Sequence, residues 1–229
     1  MKLLIIGGGE FLGRAFAVEA LAAGHEVTTF NRGRSAPDVP GVEAVRGDRT
    51  SEGDLARLTS GREWDAVVDT CGYVPSAAGP AVRALAGKAG TYLFVSTCSA
   101  FSHWPAKPVG DASPTYECAA DAGPDDGGYG VLKAGCERMV ERDFPGRTLI
   151  FRAGLIIGPH ETVGRLPTWL KRFAEAGADA RVLAPGDPGR PMGCIDARDV
   201  ALFGLHCVAT GAQGPYIVAG PVGGTTYGD

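Results

Sequence analysis

Short apolar runs alternate with amphipathic stretches along the first two thirds of this 229-residue chain. Residues 3–6 are apolar and too few for a helix, and glycines at positions 7–9 end the run. A helical pattern then extends over residues 11–23, with apolar side chains recurring four positions apart. The order strand, glycine turn and helix predicts the beginning of a βαβ unit.

The same alternation continues towards residue 152. It predicts strands at residues 26–30, 42–45, 65–70, 92–95 and 147–152, and helices at 51–58, 75–89 and 129–142. The strand at 65–70 is almost continuously apolar, as expected when both faces of a sheet are covered. The chain is therefore predicted to be an α/β protein with a Rossmann-type, doubly wound parallel sheet and right-handed crossovers.

Beyond residue 152 the pattern changes. It predicts a helix at 166–176, a short strand at 181–183, a loop at 185–191, a strand at 194–196, a helix at 198–209 and a last strand at 216–219. We interpret residues 1–152 as a dinucleotide-binding domain. Residues 153–229 are predicted to be a small substrate-binding part, interleaved with the last Rossmann elements. Because the chain stops at Asp229 soon after a strand and a turn, we expect that part to be incomplete.

Composition narrows the choice of partners. The chain is 45% hydrophobic and 21% charged, its net charge is −4, and its largest basic cluster is Arg32-Gly33-Arg34. A nucleic-acid partner is therefore not expected. The six cysteines are widely spaced, which predicts reduced thiols in a cytoplasmic protein and no metal site. We expect no membrane span and a small-molecule substrate, and the sequence leaves a homodimer open.

The glycine turn has the chemistry of a dinucleotide site. Glycine lets the backbone approach a pyrophosphate closely, and the start of the following helix offers free N–H groups and a positive dipole end. The alternative is an ordinary tight turn. We expect cofactor contacts along this segment, from Gly7, Gly9, Phe11, Leu12 and Gly13.

The end of the second strand suggests which dinucleotide binds. An acidic residue there would accept hydrogen bonds from the ribose 2′-hydroxyl, but this chain has Asn31, Arg32 and Arg34. A guanidinium suits a phosphate, so the sequence predicts NADP, with NAD as the alternative. The alternative for the arginines is a solvated turn.

The next two strand ends supply further candidates. Asp48 after the third strand is expected to bond the adenine amino group or, alternatively, to cap the following helix. Small residues after the fourth strand would let the chain pass close to the cofactor. The remaining predicted cofactor contacts are Arg49, Thr70, Cys71 and Gly72.

Tyr129 and Lys133 are the candidate catalytic pair. They lie four positions apart and therefore share one face of the predicted helix. Tyr129 would exchange a proton with a substrate oxygen while a hydride moves to or from the nicotinamide. Lys133 would lower the pKa of Tyr129 and bind the ribose, and a hydroxyl of Thr97 or Ser99 would hold the same substrate oxygen. Such a pair also arises by chance on helices.

In these residues the chain resembles the extended branch of the short-chain dehydrogenase/reductase superfamily, which contains NAD(P)-dependent epimerases, dehydratases and reductases. The matching segments are GGGEFLG at 7–13, GD at 47–48, VST at 95–97, YGVLK at 129–133 and IDARDV at 195–200. The resemblance covers nearly the whole chain. It implies catalytic roles for Thr97, Tyr129 and Lys133, and cofactor contacts from Gly7, Phe11, Leu12 and Asp48.

The chain departs from the family pattern at several positions. Glu10 replaces the middle glycine, as in a Gly-Gly-x-x-Phe-x-Gly subgroup that includes RNA-binding members. Phe101-Ser102 stands where the family has Tyr-Gly, and Arg152-Ala153 where it has Arg-Pro. These changes would alter the shape of the pocket and leave the chemistry in place.

Two classes of function follow from the sequence. The first is an NAD(P)-dependent oxidoreductase or epimerase that acts on a carbonyl or hydroxyl of a small molecule or nucleotide sugar. The second is a catalytically weak NADP-binding regulatory or RNA-binding relative, against which the intact Tyr129 and Lys133 pair counts. Cys98-Ser99 follows Thr97 in place of an Asp-Glu pair, which counts against a sugar-nucleotide 4,6-dehydratase.

Overall fold

Strands and helices alternate along the computed structural model, which describes residues 1–177, 180–183, 186–220, 226 and 228. The strands are β1 (Lys2–Ile6), β2 (Glu26–Asn31), β3 (Glu43–Arg46), β4 (Trp64–Asp69), β5 (Ala89–Thr97), β6 (Arg147–Ala153), β7 (Leu155–Ile157), β8 (Cys194–Asp196) and β9 (Gly214–Val218). The helices are α1 (Phe11–Ala22), α2 (Glu52–Thr59), α3 (Pro75–Leu85), α4 (Tyr129–Asp143), α5 (Arg165–Glu175) and α6 (Ala197–Thr210).

The main sheet is parallel and has the strand order β3-β2-β1-β4-β5-β6-β9. Strands β2 and β3 lie on one side of β1, and the chain then crosses to the other side of β1, where β4, β5, β6 and β9 follow. A crevice forms outside the carboxyl ends of the strands at such a reversal. The predicted Rossmann-type fold is therefore confirmed, and the position of its crevice is defined.

Alternation along β1 divides the core between the two faces of the sheet. Leu3 and Ile5 belong to the buried cluster on the side of α1 and α6, whereas Leu4 and Ile6 belong to the cluster on the side of α2, α3 and α4. All four side chains are at most 1% exposed. Apolar side chains on both faces of one strand require cover on both faces, and the helices provide it.

Several boundaries differ from the sequence-based expectation. Helix α3 ends at Leu85, because Gly87 has a positive φ of 72° and turns the chain into β5. The strand predicted at 181–183 is wrong, since these residues have no regular structure. Strand β7, which was not predicted, pairs instead with β8. The predicted loop at 185–191 and the end of the chain at Asp229 lie partly outside the described residues.

The elements beyond residue 152 contribute to both parts of the structure. Strand β9 pairs with β6 at the edge of the main sheet, and α6 packs against α1. Strands β7 and β8 form a separate two-stranded sheet. The division of the chain at residue 152 stays a prediction. In the part of the chain that the structure describes, no helix has the length and apolar character needed to cross a membrane.

Candidate active site

A cleft of about 900 Å³ lies at the carboxyl ends of the central strands. One end is formed by the glycine turn, and the other by the start of α4 and the segments around β7 and β8. Gly72 does not line the cleft, but the other predicted site residues do. These are Gly7, Gly9, Phe11, Leu12, Gly13, Asn31, Arg32, Asp48, Arg49, Thr70, Cys71, Thr97, Tyr129 and Lys133.

The glycine turn brings backbone close to backbone. A Cβ on Gly13 would lie 2.5 Å from the backbone nitrogen of Gly8, so α1 can approach the turn only with glycine at this position. Gly7 has a φ of 111°, which favours glycine. Glu10 precedes α1 and makes no side-chain hydrogen bond to its first turn, which leaves N–H groups there for a ligand. The segment therefore fits a diphosphate.

The side chain of Asn31 holds the turn after β2. Its Nδ2 donates to the carbonyl oxygen of Gly7 at 2.9 Å, and its Oδ1 accepts from Gly33 N at 2.8 Å and Arg46 Nη1 at 2.6 Å. These bonds join the end of β2 to the glycine turn. Asn31 therefore shapes the cofactor end of the cleft, and its amide is already engaged by the protein.

Arg32 and Arg34 are exposed at the edge of the cleft. Neither makes a hydrogen bond or ion pair with the residues that the structure describes. Both lie close enough to Asp48 to help lower its pKa, after the larger effect of hydrogen bonds from Thr50. Two guanidinium groups are thus presented where the sequence predicted a 2′-phosphate site.

Asp48 does not cap α2, because Ser51 occupies the cap and accepts from Asp54 N at 3.3 Å. Oδ1 of Asp48 accepts instead from the backbone nitrogen of Thr50 at 2.9 Å and from its hydroxyl at 2.7 Å. These bonds fix the carboxylate on the lining of the cleft. The helix-cap alternative is wrong, and the adenine contact stays a prediction.

Arg49 is paired within the protein. Its two Nη atoms lie 2.9 and 2.6 Å from the carboxylate oxygens of Asp69, which also accepts from the Tyr92 hydroxyl at 2.8 Å. The side chain of Asp69 is fully buried and that of Arg49 is 13% exposed. Arg49 also lines the cleft, so its role as a cofactor ligand stays a prediction, and its charge is balanced by Asp69.

The residues directly after β4 are closely packed at the wall of the cleft. Thr70 donates its hydroxyl to the Ile6 carbonyl at 3.2 Å, and burial raises the pKa of the Cys71 thiol to about 11. A Cβ on Gly72 would lie 2.6 Å from the ring of Phe94. Gly72 is therefore enclosed by packing, and its carbonyl oxygen accepts a hydrogen bond from Lys133. Its predicted contact with the cofactor stays a prediction.

Lys133 is buried, with 2% of its surface exposed. Its Nζ donates to the carbonyl oxygens of Gly72 at 2.7 Å and Val95 at 2.6 Å. The rings of Phe94 and Tyr73 lie 4.1 and 5.5 Å from the same nitrogen. Burial lowers the pKa of Lys133 to about 8, so the ammonium is charged at neutral pH and loses its charge as the pH rises through that value.

Tyr129 begins α4 and is 53% exposed. Partial burial of the phenol raises its pKa above 10, while hydrogen bonding with Thr97 and the charge of Arg165 act in the opposite direction. The sequence-based expectation that Lys133 lowers this pKa is not met. The physical reason is that two backbone carbonyls hold the Lys133 ammonium.

Comparison with known proteins identifies the family to which the chain belongs. Residues 3–220 match the NAD dependent epimerase/dehydratase family. The chain belongs to this family. It is thus an NAD-dependent enzyme of the epimerase/dehydratase class, and the resemblance to extended short-chain dehydrogenases is confirmed at this level. The glycine-rich subgroup stays a prediction.

Solved structures share the fold of this epimerase/dehydratase family member at low sequence identity. The enzyme WbmH of Bordetella bronchiseptica, in complex with NAD+, has 19% identity and a TM-score of 0.76 over 95% of this chain and 75% of its own. The UDP-glucose 4-epimerase of Thermus thermophilus, in complex with NAD, has 17% identity and a TM-score of 0.75 over 100% and 80%. No curated protein sequence matches this chain.

The cleft of this family member also contains residues that the sequence did not single out. Tyr73 lies beside Tyr129, with their ring centroids 6.4 Å apart, and its position directly after Gly72 could have marked it. Arg165 lines the cleft from the start of α5. No local pattern indicates its approach to Tyr129, because 35 intervening positions separate the two residues.

A buried ion pair fixes the helix that carries Tyr129 and Lys133. Glu137, one turn after Lys133, accepts from Arg152 Nη2 at 2.8 Å and from the hydroxyl of Ser96. The guanidinium of Arg152 also lies 4.9 Å from the ring of Phe101. These contacts join α4 to β5 and β6, so the helix is held against the strand that ends in Thr97. No group of His, Cys, Asp and Glu among the described residues could hold a metal ion.

Gly130 sets the distance between Tyr129 and Thr97, because a Cβ there would clash with the carbonyl oxygen of Ser99. We expect Gly130→Ala to push α4 away from β5 and to lower both turnover and stability, the latter by about 1–3 kcal/mol. Gly128→Ala is the matched control, since nothing lies within 4 Å of its added Cβ. Thermal unfolding and turnover of both variants test this. Equal behaviour of the two would contradict the tight packing.

Proposed function

We propose that the chain is an NADP-preferring oxidoreductase or epimerase. It would transfer a hydride between the nicotinamide and a carbonyl or hydroxyl carbon of a small molecule. The observation that carries this proposal is that one continuous cleft is lined by Thr97, Tyr129 and Lys133 and also by the glycine turn. Family membership supports the reaction class, and the NAD-bound structures named above support the fold alone.

The residues present fit a dinucleotide along the length of the cleft. The first turn of α1 would bind the diphosphate, and the carboxylate of Asp48 would accept from the adenine amino group. Arg32 and Arg34 would bind the 2′-phosphate that distinguishes NADP from NAD. When bound, the nicotinamide supplies the hydride donor or acceptor and, in its oxidised form, a positive charge.

Tyr129 is suited to donate a proton. Because its pKa is raised above 10, the phenol is protonated at neutral pH and can transfer a proton to a carbonyl oxygen as that carbon is reduced. The reverse direction requires the phenolate. Positive charge near the phenol would favour that form, and the charge of Arg165 already acts in this direction on the pKa of Tyr129.

Thr97 is suited to orient the same oxygen. Its Oγ1 accepts from the backbone nitrogen of Ser99 at 3.1 Å, which leaves the hydroxyl hydrogen for a donation of its own. A substrate oxygen placed between Thr97 and Tyr129 would receive two hydrogen bonds. Lys133 lies one helical turn after Tyr129. Its ammonium would bind the ribose of the cofactor in place of one of its two hydrogen bonds to backbone carbonyls.

The cofactor preference can be tested by binding. We expect NADPH to bind more tightly than NADH, and the double variant Arg32→Ala/Arg34→Ala to weaken NADPH by roughly 10- to 150-fold per lost charge-assisted contact. NADH is the internal control, because it lacks the 2′-phosphate and should bind both proteins alike. Fluorescence titration with each nucleotide measures this. Equal or tighter NADH binding by the wild type would reject NADP preference.

The reaction class can be tested by a turnover screen with carbonyl compounds, alcohols and nucleotide sugars. Consumption or formation of NADPH, or epimerisation of a sugar in the presence of the cofactor, would support the proposal. Binding of NADPH without turnover of any compound would instead support the regulatory alternative.

A further inference from the structure

The two ends of the cleft carry different charged side chains. Near the glycine turn the lining includes the carboxylates of Glu10 and Asp48 beside the guanidinium groups of Arg32 and Arg34. Near Tyr129 the lining includes Arg165, and among the described residues no carboxylate lines this end. The end of the cleft beside Tyr129, where the proposed function places the substrate, therefore presents a cation with no carboxylate on its lining.

The protein fixes Arg165 in place. Oε1 of Glu161 accepts from Arg165 Nε at 3.1 Å and from the backbone nitrogen of Arg165 at 3.2 Å. The carboxylate is well placed for this, because the side chain of Glu161 is only 2% exposed. The guanidinium is thereby held at its inner nitrogen and loses little side-chain entropy when it binds a further group.

The outer nitrogens of Arg165 face no partner in the described part of the chain. The side chain is 42% exposed and lines the cleft, so Nη1 and Nη2 are accessible from it. Two parallel N–H groups match the two oxygens of a carboxylate or a phosphate. The phenol of Tyr129 lies near the same guanidinium: burial raises the pKa of Tyr129, and the charge of Arg165 opposes that shift.

We propose that Arg165 binds an anionic group of the substrate close to the carbon that is oxidised or reduced, and that Glu161 is the positioning residue for this contact. The substrate is then a carbonyl or hydroxyl compound that carries a carboxylate or phosphate near its reacting carbon. This inference rests on the proposed function and names its substrate class.

Matched pairs of compounds test the inference. With saturating NADPH, the wild type is assayed with pyruvate against methyl pyruvate and with glyceraldehyde 3-phosphate against glyceraldehyde. In one pair we expect the charged compound to be reduced with a kcat/KM at least roughly tenfold higher than that of its neutral counterpart. A preference for pyruvate would indicate a carboxylate site, and a preference for glyceraldehyde 3-phosphate would indicate a phosphate site. If kcat/KM were the same for the charged and the neutral compound in both pairs, the inference would be overturned.

Variants assign the preference to Arg165. Arg165→Gln should raise KM for the charged member by roughly 10- to 150-fold relative to KM for the neutral member, and Arg165→Lys should restore part of the loss. Arg172→Gln, an exposed arginine on the same helix, should behave as the wild type. An equal loss on both members of a pair would assign a structural role to Arg165 and overturn the inference.

A separate measurement distinguishes this inference from the proposed function. If no compound turns over, the reaction class fails, but the anion site can still be measured by calorimetric titration of the NADP-loaded protein with oxalate and with inorganic phosphate. Binding that is at least roughly tenfold weaker in Arg165→Gln would support the site. Absent binding in the wild type, or equal binding in both proteins, would overturn it.

Discussion

Replacing Tyr129 by phenylalanine should lower turnover by about 10²–10⁴-fold, the usual contribution of a general acid or base. The substitution removes one hydroxyl from the start of α4 and leaves the ring, so NADPH binding should hardly change. The loss should appear in kcat, because the proton is transferred in the transition state. Steady-state rates and fluorescence titration of the same protein preparation measure both effects.

Tyr73→Phe is the matched control for this prediction. It removes a hydroxyl from the neighbouring ring in the same cleft, 6.4 Å away between centroids, and should keep turnover near the wild-type value. Wild-type turnover in Tyr129→Phe would show that the assignment is wrong. If Tyr73→Phe showed the large loss instead, Tyr73 would be the proton donor.

The sequence predicted the elements whose signals are local. A short apolar run, a glycine cluster and an amphipathic helix are adjacent in the chain, and β1, the turn and α1 occur there in the structure. Tyr129 and Lys133 are likewise separated by one helical turn, so their shared face follows from the spacing. The parallel, doubly wound sheet with right-handed crossovers follows from general rules for βαβ units, which need no knowledge of side-chain contacts.

The sequence did not predict contacts between distant positions. Arg49 pairs with Asp69, which lies 20 residues later in the chain, and no local pattern indicates that pairing. The position of the Lys133 ammonium depends on its hydrogen bonds to the backbone carbonyls of Gly72 and Val95. A pattern of side chains in the sequence does not indicate such bonds. Strand β7 continues the apolar run of β6 past Gly154, so only its pairing with β8 distinguishes it.

The buried pair of Asp69 and Arg49 leads to the second large expected effect. Asp69→Asn should lower the free energy of unfolding by about 3–5 kcal/mol, because the Arg49 charge would remain buried without a counter-charge. For a chain of this length that corresponds to a decrease in Tm of roughly 6–20 °C. Cofactor binding should weaken as well, since Asp69 Oδ1 also accepts from the backbone nitrogen of Cys71 at 3.1 Å, beneath the cleft.

The control is Asp65→Asn, on the same strand but exposed. Its carboxylate accepts from the backbone nitrogen of Lys2 at 2.7 Å, and an amide oxygen can accept the same bond, so stability should change by less than about 0.5 kcal/mol. The pH dependence gives a second test. The Asp69 carboxylate is desolvated by burial, but the Arg49 guanidinium prevails and holds its pKa below the usual value. Its contribution is therefore fully present above the unfolded-state pKa of about 3.9 and is lost as the pH falls through the lower folded-state value.

Chemical unfolding at neutral and at acidic pH should thus show a difference between wild type and Asp69→Asn that narrows as the pH falls. The double variant Arg49→Met/Asp69→Leu should be more stable than Asp69→Asn, because it removes both buried charges together. If Asp69→Asn instead has the same free energy of unfolding as Asp65→Asn at every pH, the ion pair does not hold β4 to the segment after β3. The position of Cys71 beneath the cleft would then have to come from the packing of Gly72 against Phe94 alone.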